Sequence, residues 1–339
     1  MSTRISRCTL RLDHSPSILS YASIVGKKEG DGPLSQYFDV ICDDTSLGEE
    51  TWEKAESGMQ KRAVTQALEK AHLAAADLEV LFAGDLLNQC ISSSYGVRDL
   101  NIPFYGLYGA CSTMAEAMSL AGIFADNGLA QHAAAVTSSH FCSAERQFRQ
   151  PLEYGGQRPP TAQWTVTGSG AAIISPSQNP PYMNHITTGI VTDLGIKDIN
   201  NMGAAMAPAA ASTIETFLKD TNTSPSDYDL ILTGDLGVIG STLLYELLGK
   251  NGIDISNVHN DCGKMIYYIE EQDVHAGGSG AGCCASVLCS YILPKIQDGT
   301  FHNVLFAATG ALMSTTSFQQ GESIPCIAHL LHLSHEPNR

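Results

Sequence analysis

The chain carries the same pattern twice, and a cysteine stands in only one of the two copies. Asp77-Leu-Glu-Val-Leu-Phe-Ala-Gly-Asp-Leu86 returns as Asp227-Tyr-Asp-Leu-Ile-Leu-Thr-Gly-Asp-Leu236. Each reads as a short apolar strand entered from an acidic turn and left through Gly-Asp. Gly128 to Ser138 parallels Gly299 to Thr309, and carrying that register back sets Gly109-Ala-Cys111 opposite Gly280-Ala-Gly282. Repeats of this length are supersecondary units that need each other to bury a core. The strand runs Ala133–Thr137 and Val304–Ala308 are apolar throughout, as sheets covered by helices on both faces require. Helix and strand alternate, so the expected class is α/β.

A coarse reading gives the same order of elements in each copy. The first has a strand near 17–25, a helix over 50–72 and strands at 80–83 and 104–107. A helix opened by Cys111 follows, with closing strands at 133–138 and 166–174. The second has a strand near 186–192, a helix over 207–218 begun by Pro208, and a strand at 230–233. Helices at 243–250 and 281–293 and strands at 304–308 and 327–333 complete it. The halves are expected at 1–178 and 179–339, packed as one body, because no long Pro/Ser-rich linker divides them. Residues 139–165 form an insertion of the first copy, and long insertions in compact domains tend to carry function.

Net charge is −16 over 339 residues, which argues against nucleic acid as a partner. No apolar run is long enough to span a bilayer, so the chain reads as soluble. Ten cysteines lie scattered without Cys-x-x-Cys spacing, which points to a reducing compartment and no metal site. Cys283 and Cys289 fall on an Ala/Val/Leu-rich stretch and read as small buried hydrophobes.

Cys111 is the candidate nucleophile. A thiol at a helix N-terminus meets unsatisfied N–H groups and the positive end of the dipole, which favour thiolate. With the duplication, Ala110-Cys111, Gly168-Ser-Gly-Ala-Ala172 and Gly277-Gly-Ser-Gly280, the chain resembles the thiolase superfamily of condensing enzymes. That resemblance implies a five-layer αβαβα fold, internally duplicated, and commonly a homodimer. It also implies a His and a second His or Asn from the second half; this chain has Asp235 and Gly278 there, with Ser279 adjacent. An Asp cannot do the work of an imidazole near neutral pH without a large shift. His275 is the nearest histidine in sequence.

Further blocks, among them Gly84-Asp-Leu-Leu-Asn-Gln89, Ser138-Ser-His140, Ala144-Glu-Arg-Gln-Phe-Arg149, Glu153-Tyr-Gly-Gly-Gln157 and Asp261-Cys-Gly263, are similar to the stage V sporulation AD family. Those are thiolase-like components of the dipicolinic acid uptake system of bacterial spore formers. The resemblance implies a dipicolinic acid-binding protein on a catalytically disarmed frame, intracellular or peripheral to the forespore inner membrane, with integral membrane partners of the same system. Calcium is expected to accompany the ligand, and no resident cofactor is implied. The expected ligand-facing set is Cys111, Ser139, His140, Arg146, Arg149, Arg158, Asp235 and Ser279. Arg146, Arg149 and Arg158 are the only basic residues between Asp99 and Ile196, and guanidinium forks suit carboxylates. Phe148, Tyr154 and Trp164 would supply an aromatic wall. The alternative reading is an acyl-CoA or acyl-carrier condensing enzyme using Cys111.

Overall fold

Two sheets with one strand order frame the molecule. The computed structural model describes residues 1–148, 157–176 and 179–338. In the first sheet the strands run Ser17–Gly26, Gly168–Ser175, Ala133–Ser139, Val80–Gly84, Phe104–Gly106; in the second Tyr182–Thr187, Cys326–Ser334, Asn303–Ala311, Leu230–Thr233, His259–Asp261. Val80–Gly84 pairs parallel with both of its neighbours, and so does Leu230–Thr233. The sheets join edge to edge through the single pair Tyr182–Ser17.

Local chemistry sets the repeated helices. Thr51 caps Trp52–Ala71 by accepting from the Lys54 N–H, and His72 closes it in the left-handed region. In the second copy Asn201 caps Met202–Thr221 and Asn222 closes it the same way. A side-chain oxygen at the cap satisfies one of the N–H groups a helix start leaves over. That cap overrides the expected start at Pro208, which sits inside the helix instead. Without an N–H, Pro208 leaves the Ala204 carbonyl without its usual intrahelical donor. The strand expected at 186–192 runs Tyr182–Thr187, and the helix expected from 243 begins at Gly237.

Three helical layers alternate with the two sheets. Trp52–Ala71 covers the first sheet's outer face and Met202–Thr221 the second's. Thr113–Asp126 and the helix beginning at Ala281 lie in the centre, where Met114, Met118, Val287 and Leu288 pack with Phe82 and Phe306. The block Gly168-Ser-Gly170 and the facing Gly280-Ala-Gly282 are glycine-rich for a steric reason. A Cβ on Gly170 would come within 2.3 Å of the Ala285 carbonyl oxygen, and one on Gly282 within 2.3 Å of that of Gly168. The central helix therefore seats backbone against backbone on the first sheet. The expected boundary near 178 lies outside the described residues.

Candidate functional site

Cys111 is held in a short 3-10 turn, Ala110–Ser112, and the α-helix starts only at Thr113. Ala110 has a φ of 50°, a left-handed conformation that costs an L-residue about 1–2 kcal/mol. Side chains hold the turn in place. Ser112 Oγ donates to the Gly109 carbonyl (2.6 Å) and Thr113 Oγ1 to that of Ala110 (2.7 Å). The Gly109 carbonyl also lies 2.2 Å from where a Cβ on Gly310 would sit, so the second half braces the turn directly.

Asp235 stands behind the cysteine. It leaves the strand Leu230–Thr233 through Gly234 and is fully buried. Its Oδ1 accepts from Thr309 Oγ1 (2.7 Å), and its Oδ2 accepts from Ser279 Oγ (3.0 Å) and the Gly280 N–H (2.9 Å). The Cys111 thiol lies beside the same carboxylate and feels its charge. Gln163 Nε2 bridges the Asp235 and Gly278 carbonyls at 2.8 Å each. A second buried acid, Asp261, accepts from Thr233 and from the N–H groups of Leu236 and Gly237, which fixes the loop that carries Asp235.

The electrostatics oppose thiolate. Burial pushes the Cys111 thiol well above its ordinary value, and the Asp235 charge pushes it further, while the Gly280 N–H acts the other way. Burial raises Asp235 too, while the donors Gly280, Thr309 and Ser279 pull it back. Desolvation penalises both charged forms, and two adjacent negative groups penalise each other. The expectation of an activated thiolate is therefore corrected: the thiol keeps its proton.

Cys111 and Ser279 open onto a pocket at the seam of the two halves, with a cavity volume of about 60 Å³. Its walls are mostly apolar: Phe148 from the insertion, Tyr108 and Leu86 from the first copy, and Met202, Met206 and Met313 from the second. Glu145 and Thr165 add polarity, with Thr165 Oγ1 donating to the Glu145 carboxylate at 3.1 Å. A mostly apolar lining with a few polar groups is usual for small-molecule sites.

The remaining expected site residues point elsewhere. Arg146 pairs with Glu53 and lies over the Trp52 ring. Arg158 donates to the Asp273 carbonyl (2.6 Å) and lies 4.5 Å from the centre of Trp164. Neither lines the pocket, because each finds a partner on a distant segment, Glu53 on the helix Trp52–Ala71 and the backbone at Asp273. Ser139 is buried, donates to the Val166 carbonyl (2.7 Å) and accepts from the Gly282 N–H (3.0 Å), so it staples the halves together. His140 accepts from the Cys142 N–H at Nδ1, so Nε2–H donates to the Thr45 carbonyl (2.7 Å); burial lowers its pKa and keeps it neutral. His275 lies beside Asp273, away from Cys111. Trp164 stacks on Phe141 at 3.9 Å instead of facing the pocket. Arg149 and Tyr154 lie outside the described residues. Among the described residues no group of three His, Cys, Asp or Glu is arranged to hold a metal.

Sequence reasoning missed Glu145 and the methionines. A signal for the first existed: Phe141, Ala144, Glu145 and Phe148 follow the i, i+3, i+4, i+7 spacing of one helix face, and the helix Phe141–Phe148 turns the last three toward the pocket.

Comparison with known proteins agrees with this geometry. The family model described as stage V sporulation protein AD matches residues 6–334. The stage V sporulation protein AD of Bacillus subtilis is 47% identical over 317 residues, 94% of each chain. Among solved structures, the 3-oxoacyl-[acyl-carrier-protein] synthase III of Aquifex aeolicus superposes with a TM-score of 0.55 at 13% identity, over 94% of this chain and 99% of that one. Cerulenin-bound OleA of Xanthomonas campestris gives 0.61 at 14% identity, over 96% and 99%. At such identities these structures establish the fold alone, the mixed α/β frame of thiolase-like condensing enzymes.

Proposed function

The chain belongs to the stage V sporulation protein AD family, and from that premise we propose that it binds dipicolinic acid for uptake in the spore-forming cell. The observation that carries the reading is the buried Asp235 carboxylate beside Cys111, held by Thr309, Ser279 and Gly280 where an acid/base group would have to act. Acyl transfer by a cysteine needs a thiolate and a nearby acid/base group. Here the thiol keeps its proton and the neighbouring acid is occupied by donors. What is left is a shaped, largely apolar pocket with a few polar groups, which suits a planar aromatic ligand edged with carboxylates.

With Arg146 and Arg158 engaged elsewhere, the Cys111 turn meets the ligand, and the hydroxyls of Ser279 and Thr165 turn from Asp235 and Glu145 to donate to it. Glu145 supplies a carboxylate for the calcium that accompanies it. The protein acts as a homodimer with integral membrane partners at the forespore inner membrane; none of its described helices is long and apolar enough to cross a bilayer itself.

Isothermal titration with dipicolinate, with and without calcium, tests the reading. Binding should be measurable, and Ser279→Ala should weaken it roughly 10-fold, since a hydrogen bond to a charged group contributes about 1.5–3 kcal/mol. Arg146→Ala should bind like the parent. Steady-state acyl transfer from acetyl-CoA or malonyl thioesters, abolished by Cys111→Ala, would overturn the reading.

A further inference from the structure

Behind the insertion helix lies a second buried pair of acids, unconnected with Cys111. Glu56, on the long helix Trp52–Ala71, is 1% exposed and Asp85 is fully buried. A continuous chain of hydrogen bonds joins them. Ser138 Oγ donates to Glu56 Oε1 (3.1 Å), and Gln60 Nε2 donates to Ser138 Oγ (3.2 Å) and to Ser93 Oγ (3.1 Å). Ser93 Oγ then donates to Asp85 Oδ2 (2.6 Å). The other Glu56 oxygen lies 2.8 Å from Ser143 Oγ, in the first turn of Phe141–Phe148, the helix that carries Ala144, Glu145 and Phe148 to the pocket.

We propose that Glu56 and Asp85 share one proton, and that this proton pins the helix Phe141–Phe148 and with it one wall of the pocket. The importance of the wall rests on the binding role proposed above; the pinning does not. Asp85 also accepts from the Leu87 and Ser93 N–H groups, so it keeps its charge better and Glu56 holds the proton. Neutral Glu56 donates to Ser143 Oγ, which donates onward to the His140 carbonyl (3.1 Å). Ionised Glu56 pulls the Ser143 hydroxyl back and sets two like charges in a dry interior.

The surroundings offer no compensation. On Glu56's own helix, Glu53 is already paired with Arg146 of the insertion helix. The short helix Ile91–Val97 presents Ser92 and Ser93, and the strand end presents Ser138 and then neutral His140. Among the described residues no cation is paired with either acid. Burial first and the Asp85 charge second push Glu56 up to about 8, so the proton is lost in mildly alkaline solution.

The test needs no ligand. Trp164 stacks on Phe141, so its fluorescence, together with amide exchange of residues 142–148, reads the helix directly. Between pH 7 and 9 those amides should lose roughly 10-fold in protection relative to the helix Met202–Thr221. Glu56→Gln keeps the hydrogen bonds but cannot ionise, and should abolish the change. Asp85→Asn removes the like charge and should move the midpoint to lower pH, an effect that a purely structural role would not produce. Wild-type protection that is flat over this range, or a Glu56→Gln protein that tracks wild type, overturns the inference. Dipicolinate affinity should fall over the same range in wild type alone; if dipicolinate fails to bind at all while the exchange behaves as stated, the binding proposal fails and the proton pair stands.

Discussion

At Cys111 two effects compete, and their sizes decide the outcome. A helix N-terminus stabilises a negative group by about 0.3–1 kcal/mol, up to about 2 in partly buried geometry. Burial beside a carboxylate acts the other way, and for a fully buried group it outweighs the dipole. The 3-10 turn also sets the thiol ahead of the α-helix proper, and the Asp235 carboxylate beside it opposes a second negative charge. Iodoacetamide at neutral pH should therefore label Cys111 more slowly than the partly exposed Cys8. Asp235→Asn removes the negative neighbour and should speed Cys111 labelling at least several-fold. Faster labelling of Cys111 than of Cys8 in the wild-type protein would show that the dipole wins after all.

Helices and strands were the more legible level, and the glycine-rich blocks show why. Gly168-Ser-Gly170 and Gly280-Ala-Gly282 mark where a strand and a central helix press together, so a motif in one dimension encodes a contact in three. Substituting alanine for Gly170 or Gly282 should destabilise the protein by at least about 1–3 kcal/mol, the usual range for overpacking a core. Urea unfolding checks this, and an unchanged midpoint would mean that the helix can shift to make room. The caps were harder to read, because Asn201 and Pro208 both signal a helix start and only the cap geometry separates them. The site divides along the same line. Cys111, Asp235 and Ser279 follow from where the repeat places them, whereas Met202, Met206 and Met313 meet the pocket only through the packing of distant segments. Charge counting along the chain set the arginines of the insertion apart from their acidic background. It could not see that Glu53, far back on another helix, would claim Arg146 and the backbone at Asp273 would claim Arg158.

At the scale of the molecule, His185, His259, His329 and His332, together with the fully buried His140, give stability an acid dependence. Burial lowers His185 and His329 to about 4 and His259 and His332 to about 3. Each binds its proton more readily in the unfolded chain, so stability is full above about 6.5 and falls as the pH drops toward those values. Thermal midpoints should decline from pH 7 to pH 5, and His332→Asn should flatten the decline relative to wild type. A slope that His332→Asn leaves unchanged would assign the acid sensitivity to other groups. The seam between the halves carries a last consequence, which concerns stoichiometry. The position matching Cys111 in the second copy is Gly282, and a Cβ there would sit 2.3 Å from the Gly168 carbonyl oxygen and 2.7 Å from Ser139 Oγ. Doubling the sequence thus doubled the frame without doubling the site: where Cys111 opens onto space, the matching position is closed by the first copy's strand. Calorimetric titration should saturate at one dipicolinate per chain, the count that this backbone contact dictates.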